Sequence, residues 1–158
     1  MNKEYSVLLL PGWQNSDADH WQSRWEQAHG YQRVQQHNWQ QPLRGDWTVQ
    51  LNEAVLAAPT AVVLVAPGDV EQADLRQHLP GWVPIARQRL PFAAVVVGSQ
   101  NDPYCRLARA QQLAADWGAQ WVDAGAAGHI NSASQLGDWP QGHALLQDLV
   151  KDSVHGKR

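Results

Sequence analysis

The chain has 158 residues, about the size of one domain, so we predict a single domain over residues 1–158. Twelve lysines and arginines against fifteen aspartates and glutamates give a formal net charge of −3, with no run of like charges. This charge excludes the clustered basic surface that a nucleic-acid partner requires.

The sequence also predicts that the protein has no metal site and no membrane segment. Cys105 is the one cysteine, which rules out an internal disulfide and a cysteine-based zinc site. The seven histidines show no H-x-x-x-H or H-E-x-x-H spacing, so we predict no metal and no cofactor. The first apolar run stops at Pro11, too early for a signal peptide or a membrane span. We therefore expect a cytoplasmic protein with no membrane partner.

The elements, taken in chain order, alternate between short apolar runs and helical segments. Trp21 and Trp25 are four residues apart and therefore share one face of the first helix, for which Gly30 is a C-cap. The predicted strands are Ser6–Leu10, Arg33–Asn38, Thr60–Ala66, Phe92–Gly98 and Ala119–Asp123. The predicted helices are Asp19–His29, a segment from Gly45 or Asp46 to about Ala58-Pro59 with Val49, Leu51 or Asn52, Val55 and Leu56 on its inner side, Asp69–Leu79, Cys105–Trp117 and a closing helix that contains Leu145–Val150.

Three of the strands are apolar throughout rather than alternating. Ser6–Leu10 is typical of a fully buried strand, and Thr60–Ala66 and Phe92–Gly98 are typical of central parallel strands buried on both faces. Strands that alternate with helices predict an α/β fold, a three-layer sandwich with a mostly parallel sheet that could have five strands.

Polar loops follow three of the predicted strands, at Pro11–Ser16, Ser99–Pro103 and Gly125–Ser132. Because the carboxyl ends of parallel strands share one edge of the sheet, Asp102 and His129 are expected to meet there. An acid followed by a histidine is the second half of the α/β-hydrolase triad, in which the acid fixes the imidazole tautomer and the histidine transfers the proton. Taken alone, the two residues would fit a capping aspartate and a solvent-facing histidine better than a catalytic pair.

Longer strings around these loops decide between the two interpretations. The strings are L-L-L-P-G-W-Q-N-S-D-A-D-H-W-Q-S-R-W-E (Leu8–Glu26), L-V-A-P-G-D-V-E (Leu64–Glu71), V-V-V-G-S-Q-N-D-P-Y-C (Val95–Cys105) and G-A-A-G-H-I-N-S-A-S-Q-L-G-D-W-P-Q-G (Gly125–Gly142). Across nearly the whole chain, the sequence resembles the small single-domain serine hydrolases of the retinoblastoma-binding protein nine and YdeN type.

The resemblance implies both a fold and an activity. It implies an α/β-hydrolase fold with Asp102 as the triad acid and His129 as the triad base. It also implies that the loop of Gly12, Trp13 and Asn15 supplies a backbone N–H to the oxyanion hole. The expected reaction is the hydrolysis of small esters, without metal or cofactor.

One part of the family pattern is missing, namely the serine on a sharp turn between a strand and a helix. No G-x-S-x-G occurs, and none of the seven serines ends a strand and opens a helix. By resemblance, one L-V-A strand should lead to the nucleophile and a second should lead to a proline. Here a single copy, Leu64–Ala66, runs directly into Pro67. We interpret this as an internal deletion of one strand and one helix, on the order of 25–30 residues.

Other residues offer no evident replacement for the nucleophile. We expect Ser99 and Ser132 to form hydrogen bonds within their loops, and Cys105 to be a buried apolar residue. His20, at the start of a helix, is expected to be structural. We therefore predict a protein similar to carboxylesterase-type serine hydrolases that is inactive or weakly active on small-molecule esters. The alternatives are a non-catalytic ligand- or protein-binding module, whose partner the sequence leaves open, and a truncated gene product with no selected role.

Overall fold

The structure is a computed structural model that describes residues 5–56 and 62–155. Strands and helices alternate along these residues, with short 3-10 turns at Pro80–Trp82 and Ser132–Ser134. The strands are β1 (Leu8–Leu9), β2 (Gln32–Arg33), β3 (Val62–Val65), β4 (Ala94–Gly98) and β5 (Gln120–Asp123). The helices are α1 (Trp21–His29), α2 (Arg44–Val55), α3 (Ala73–His78), α4 (Leu107–Trp117) and α5 (Pro140–His155).

The strands form two parallel sheets in the described residues. One sheet has the order β3-β4-β5, with Val62 opposite Ala94 and Val95 opposite Gln120. The other consists of β1 and β2, with Leu8 opposite Gln32. The predicted strand positions are occupied, but the hydrogen bonds of a single five-stranded sheet are interrupted between β1 and β3.

Strand β4 is the centre of the molecule and is buried at every residue. Val95 and Val97 point to one face, where they pack with tryptophans from α1 and the start of α5. Val96 points to the other face, where α4 packs against β4 and β5. Helices therefore cover both faces of the three-stranded sheet, and the predicted burial of this strand is confirmed.

Tryptophan side chains join α1 to the C-terminal part of the chain. Trp21 and Trp25 are both buried, and their ring centroids are 4.6 Å apart, as their shared helix face predicts. Trp139 stacks on Trp25 with a centroid distance of 6.0 Å. Gly30 ends α1 in the left-handed conformation, with φ of 66°.

The strand predicted over Thr60–Ala66 is not central, which corrects the sequence-based assignment. β3 lies at the edge of the three-stranded sheet, and the side chains of Val63 and Val65 are only half-buried. A strand with a neighbour on one side only leaves its second edge uncovered. Thr60 and Ala61 lie outside the described residues.

The first two strands are shorter than the sequence indicates. In the predicted strand Ser6–Leu10 only Leu9 is buried, because β1 pairs on one side alone. The pairing with β2 ends at the hydrogen bond from the Val34 N–H to the Leu9 carbonyl, 2.9 Å. The strand predicted over Arg33–Asn38 is therefore replaced by Gln32–Arg33.

Helix α2 also differs from its prediction. It begins at Arg44, preceded by Leu43 without a side-chain cap, rather than after a cap at Gly45 or Asp46. Val49 and Leu56, expected on the inner side, are 54% and 87% exposed. The predicted end at Ala58-Pro59 lies outside the described residues.

Candidate active site

Asp102 and His129 are brought together at the carboxyl edge of the three-stranded sheet. Asp102 lies in the loop after β4, and His129 lies in the loop after β5, its parallel neighbour. The Nδ1 atom of His129 lies 2.9 Å from one carboxylate oxygen of Asp102 and 3.0 Å from the other. The structure thus places the two predicted residues in direct contact.

The geometry of this contact fixes the chemistry of the imidazole. A carboxylate only accepts hydrogen bonds, so the proton of neutral His129 lies on Nδ1, and Nε2 presents a lone pair. The Asp102 side chain is 2% exposed, whereas that of His129 is 28% exposed. The Tyr104 backbone N–H donates to the same carboxylate at 2.8 Å, and the Tyr104 ring packs edge-on against His129. The pair is therefore a buried acid that orients a solvent-accessible base.

A network of hydrogen bonds holds the two loops against each other. The Ser99 hydroxyl donates to the Asn101 side-chain oxygen at 3.0 Å and accepts from the Ala127 N–H at 2.9 Å. The same Asn101 oxygen accepts from the Gly128 N–H at 2.7 Å. Because Ala127 and Gly128 directly precede His129, these contacts fix the loop that carries the base.

Asn101 is a positioning residue that the sequence analysis missed. Its neighbour Asp102 carries a carboxylate, which makes it a candidate for acid–base chemistry. The amide side chain of Asn101 has no titratable group and gives no such indication. The adjacent Asn-Asp pair in the loop after β4 was the signal available for it. Gly128, with φ of 59°, shows why this loop needs glycine, since its backbone takes the left-handed conformation.

The loop expected to supply the oxyanion hole forms a tight turn. The Asn15 N–H donates to the Gly12 carbonyl at 3.0 Å, and the Gln14 N–H donates to the Trp39 carbonyl at 2.9 Å. Two of the four N–H groups in Gly12–Asn15 are therefore engaged within the protein. The Trp13 ring stacks on His78, with the ring centroids 5.1 Å apart. The predicted role of Gly12, Trp13 and Asn15 in binding an oxyanion stays a prediction.

Two contacts tie the segment that follows this loop to the loop of His129. The Trp21 indole N–H donates to the Ile130 carbonyl at 2.8 Å. The Ser132 hydroxyl donates to the carboxylate of Asp17. The first turn of α1 therefore lies against the loop of His129, although the chain positions are more than a hundred residues apart.

His20 is part of this junction. Its backbone is the N-cap of α1, and its Nδ1 accepts the Gln22 N–H at 3.1 Å. Burial lowers the pKa of His20 to about 4, against an opposing effect of the Asp17 carboxylate and with further lowering by Arg33 and His129. The capping contact agrees with the structural role predicted for His20.

The serine hydroxyls are engaged away from the base. Among the described residues, the hydrogen bonds of His129 go to Asp102 and none comes from a serine. Ser99 and Ser132 form the loop contacts described above. Four further serines hydrogen-bond elsewhere: Ser16, Ser23, Ser134 and Ser153. None of these six serines is therefore placed as the missing nucleophile.

Cys105 is equally unsuited to nucleophilic attack. The thiol is buried, and burial, followed by the charges of Asp69 and Asp102, raises its pKa to about 11. A thiol with this pKa is almost entirely protonated at neutral pH, whereas the reactive form is the thiolate. The prediction of a buried apolar residue is confirmed.

The described residues contain neither a cluster of metal ligands nor a membrane-spanning helix. Within 5–56 and 62–155, no group of three or more histidine, cysteine, aspartate or glutamate side chains could hold a metal ion. In that part of the chain, no helix has the length and apolar character to cross a membrane.

The parallel sheet with an acid and a histidine after neighbouring strands defines an α/β-hydrolase-like protein. The model of the serine hydrolase family matches residues 7–66 and 60–148. The chain therefore belongs to the serine hydrolase family. No curated protein matches the chain.

Two solved structures resemble the chain along nearly its whole length. A protein from Pectobacterium atrosepticum, described as a YdeN-like hydrolase, is 26% identical, with a TM-score of 0.81 over 95% of this chain and 93% of that one. The ydeN gene product of B. subtilis is 17% identical and supports the fold alone, with a TM-score of 0.65 over 93% of this chain and 99% of that one. The predicted resemblance and α/β-hydrolase-like fold are confirmed, and a hydrolase-type function is supported.

Proposed function

We propose that this protein hydrolyses small carboxylic esters slowly, with Asp102 and His129 as its proton-transfer pair and without a serine nucleophile. The observation that carries the proposal is the contact between Asp102 and Nδ1 of His129, combined with a base to which no serine hydroxyl is hydrogen-bonded.

The missing nucleophile segment is supported by the way the family matches the chain. The two matched ranges, 7–66 and 60–148, both include residues 60–66. The same seven residues therefore correspond to two places in the family, as expected if two similar strands have been merged. Ala66, the last of them, has φ of 44°, which is an uncommon conformation for a residue other than glycine.

Without the serine, His129 would act on water directly. The water oxygen attacks the ester carbonyl while its proton moves to Nε2 of His129. Collapse of the intermediate breaks the bond to the alcohol, which takes this proton, so that one water and one ester give one acid and one alcohol. Triad enzymes that lose one member keep about 10³–10⁴-fold acceleration over water, and we expect at most this residual rate.

The test is the hydrolysis of p-nitrophenyl butyrate together with labelling by a fluorophosphonate, which reacts with activated serines. We expect slow hydrolysis that falls at least tenfold in His129→Ala, and no covalent label on the native protein. His37→Ala is the matched control, because His37 is exposed in another loop. Turnover should persist in Ser99→Ala and in Ser132→Ala, whereas the loss of a true nucleophile would remove it.

Two outcomes would contradict the proposal. Labelling that disappears in His129→Ala would reveal an activated nucleophile. Equal hydrolysis rates in His129→Ala and the native protein would show that the pair does not act as a base.

A non-catalytic binding module is the second proposal, and the surface of α2 favours it. Val49 in α2 and Leu56, the residue directly after the helix, are seven positions apart and so lie on the same side, and both are exposed. Large apolar side chains grouped on a surface often mark an interaction site. If Val49→Ser loses the binding of a ligand or protein partner without a change in ester hydrolysis, this second function is supported.

A further inference from the structure

The hydrogen bond at the N-cap of α1 determines which nitrogen of His20 carries the proton. Because Nδ1 accepts the Gln22 N–H, it has no proton of its own in the neutral ring. The proton therefore lies on Nε2, which is a hydrogen-bond donor. This is the reverse of His129, whose Nδ1 is the donor and whose Nε2 is the acceptor.

His20 keeps this arrangement at neutral pH. Its pKa is lowered to about 4, mainly by burial, so the ring stays uncharged far above that pH. A neutral imidazole donates a hydrogen bond to a carbonyl oxygen without giving up its proton. The N-cap contact uses only Nδ1, and nothing in the proposed mechanism yet uses Nε2.

The two imidazoles belong to segments that are fastened together. Trp21, next to His20, hydrogen-bonds to Ile130, next to His129. Asp17 accepts both the His20 backbone N–H at 3.0 Å and the Ser132 hydroxyl. His129 is also among the groups whose charge lowers the pKa of His20. The segments that carry the donor and the acceptor are therefore in contact, and the two imidazoles are close enough to interact electrostatically.

We propose that His20 is a further catalytic residue, whose Nε2–H donates to the carbonyl oxygen of the ester while Nε2 of His129 takes the proton of the attacking water. The inference rests on the proposed ester hydrolysis. As the water oxygen bonds to carbon, the carbonyl electron pair moves onto the oxygen, and the His20 hydrogen bond stabilises that charge. When the bond to the alcohol breaks, the pair returns, and His20 has kept its proton throughout. His20 would thus supply a donor where the loss of the nucleophile segment removes one.

Two substitutions separate this role from the capping role. His20→Asn keeps a side-chain oxygen for the Gln22 N–H, since asparagine is a good N-cap, but lacks the reach of Nε2. His20→Gln carries an amide N–H further from the backbone and can replace the Nε2 donor. We expect His20→Asn to lower kcat/KM for p-nitrophenyl butyrate at least tenfold, with a lower kcat and a higher KM but little change in Tm, and His20→Gln to recover part of the loss. His37→Asn is the matched control and should change neither constant.

A binding measurement tests the same contact without turnover. Butyramide carries the substrate's acyl carbonyl in a form that resists hydrolysis. When it is added to protein labelled with ¹⁵N, the His20 Nε2–H resonance should shift, and the Kd should rise at least tenfold in His20→Asn.

The outcomes distinguish the two proposals. A His20 resonance that does not move, or an unchanged kcat and Kd in His20→Asn, would overturn the role of His20 even where His129→Ala abolishes hydrolysis. If His129→Ala leaves hydrolysis unchanged but butyramide still shifts His20, the proposed base has failed and the carbonyl-binding donor stands.

Discussion

Asp102 is an almost fully buried carboxylate with three hydrogen-bonding contacts. Its two oxygens face Nδ1 of His129, and one of them also accepts the Tyr104 N–H. A buried charge is costly unless it is paired in this way, so the loop after β4 supplies the partners that make an ionised acid tolerable. At the scale of single residues, Asp102 matters because it holds the imidazole in one tautomer.

Asp102→Asn tests this residue directly. An amide both donates and accepts, so it no longer restricts the proton of His129 to Nδ1. We expect residual ester hydrolysis to fall at least tenfold, and the side-chain ¹⁵N spectrum of His129 to show a mixture of tautomers. Asp19→Asn, at an aspartate whose side chain is 84% exposed, is the control and should change neither. A single unchanged tautomer with an unchanged rate would contradict the assigned role.

At the scale of elements, the start of α5 is fixed by packing rather than by helix propensity. Trp139 is buried and has φ of 43°, so its ring lies against the first turn of the helix. A Cβ added to Gly142 would lie 2.2 Å from the Trp139 ring. Such a distance requires the ring or the helix to move.

Gly142→Ala sets the gain in helix propensity against the steric clash with the Trp139 ring. Helix propensity alone would stabilise the protein by about 0.5–1 kcal/mol. We expect the clash to win and the free energy of unfolding to fall by about 1–3 kcal/mol in a denaturant titration. Gly45→Ala is the control, because a Cβ at Gly45 in α2 meets no atom within 4 Å, and it should be stabilising. Equal stabilisation by both substitutions would contradict the packing described for α5.

The elements that the sequence predicted well are those with a strong local pattern. The continuous valines of β4 and the paired tryptophans of α1 indicate burial by themselves, and both are buried. Helix α2 was predicted less well. Its apolar residues suggest an inner face, but whether that face is covered depends on distant parts of the chain. Strand β2 ends where its pairing with Leu9 of β1 ends. This boundary depends on β1, so the sequence of β2 alone does not predict it.

At the scale of the whole molecule, each of the two sheets has edge strands that pair on one side only within residues 5–56 and 62–155. The Ala66 N–H donates to the Val97 carbonyl, so alternate residues of β3 face β4, and Val63 and Val65 direct their backbone groups to the open side. β1 pairs with β2 alone. Ala66, directly after β3, borders the place from which we infer that a strand has been lost, and Leu9 of β1 belongs to the same buried cluster as Ala66.

The candidate site was predictable to the extent that topology determines it. The meeting of Asp102 and His129 follows from two adjacent parallel strands, which the sequence pattern indicates. The support from Asn101 depends on side-chain geometry across two loops, of which the adjacent Asn-Asp pair indicates only the residue in the first loop.

The most direct test of the central claim inserts the segment that we infer to be missing. A strand, nucleophile turn and helix of the kind the family carries would be inserted between Ala66 and Pro67, once with the serine and once with alanine in its place. If the proton-transfer pair is intact and only the nucleophile is missing, we expect the fluorophosphonate to label the serine version. We expect no label on the alanine version or on the serine version that carries His129→Ala. A correctly folded serine version that takes up no label would contradict the account.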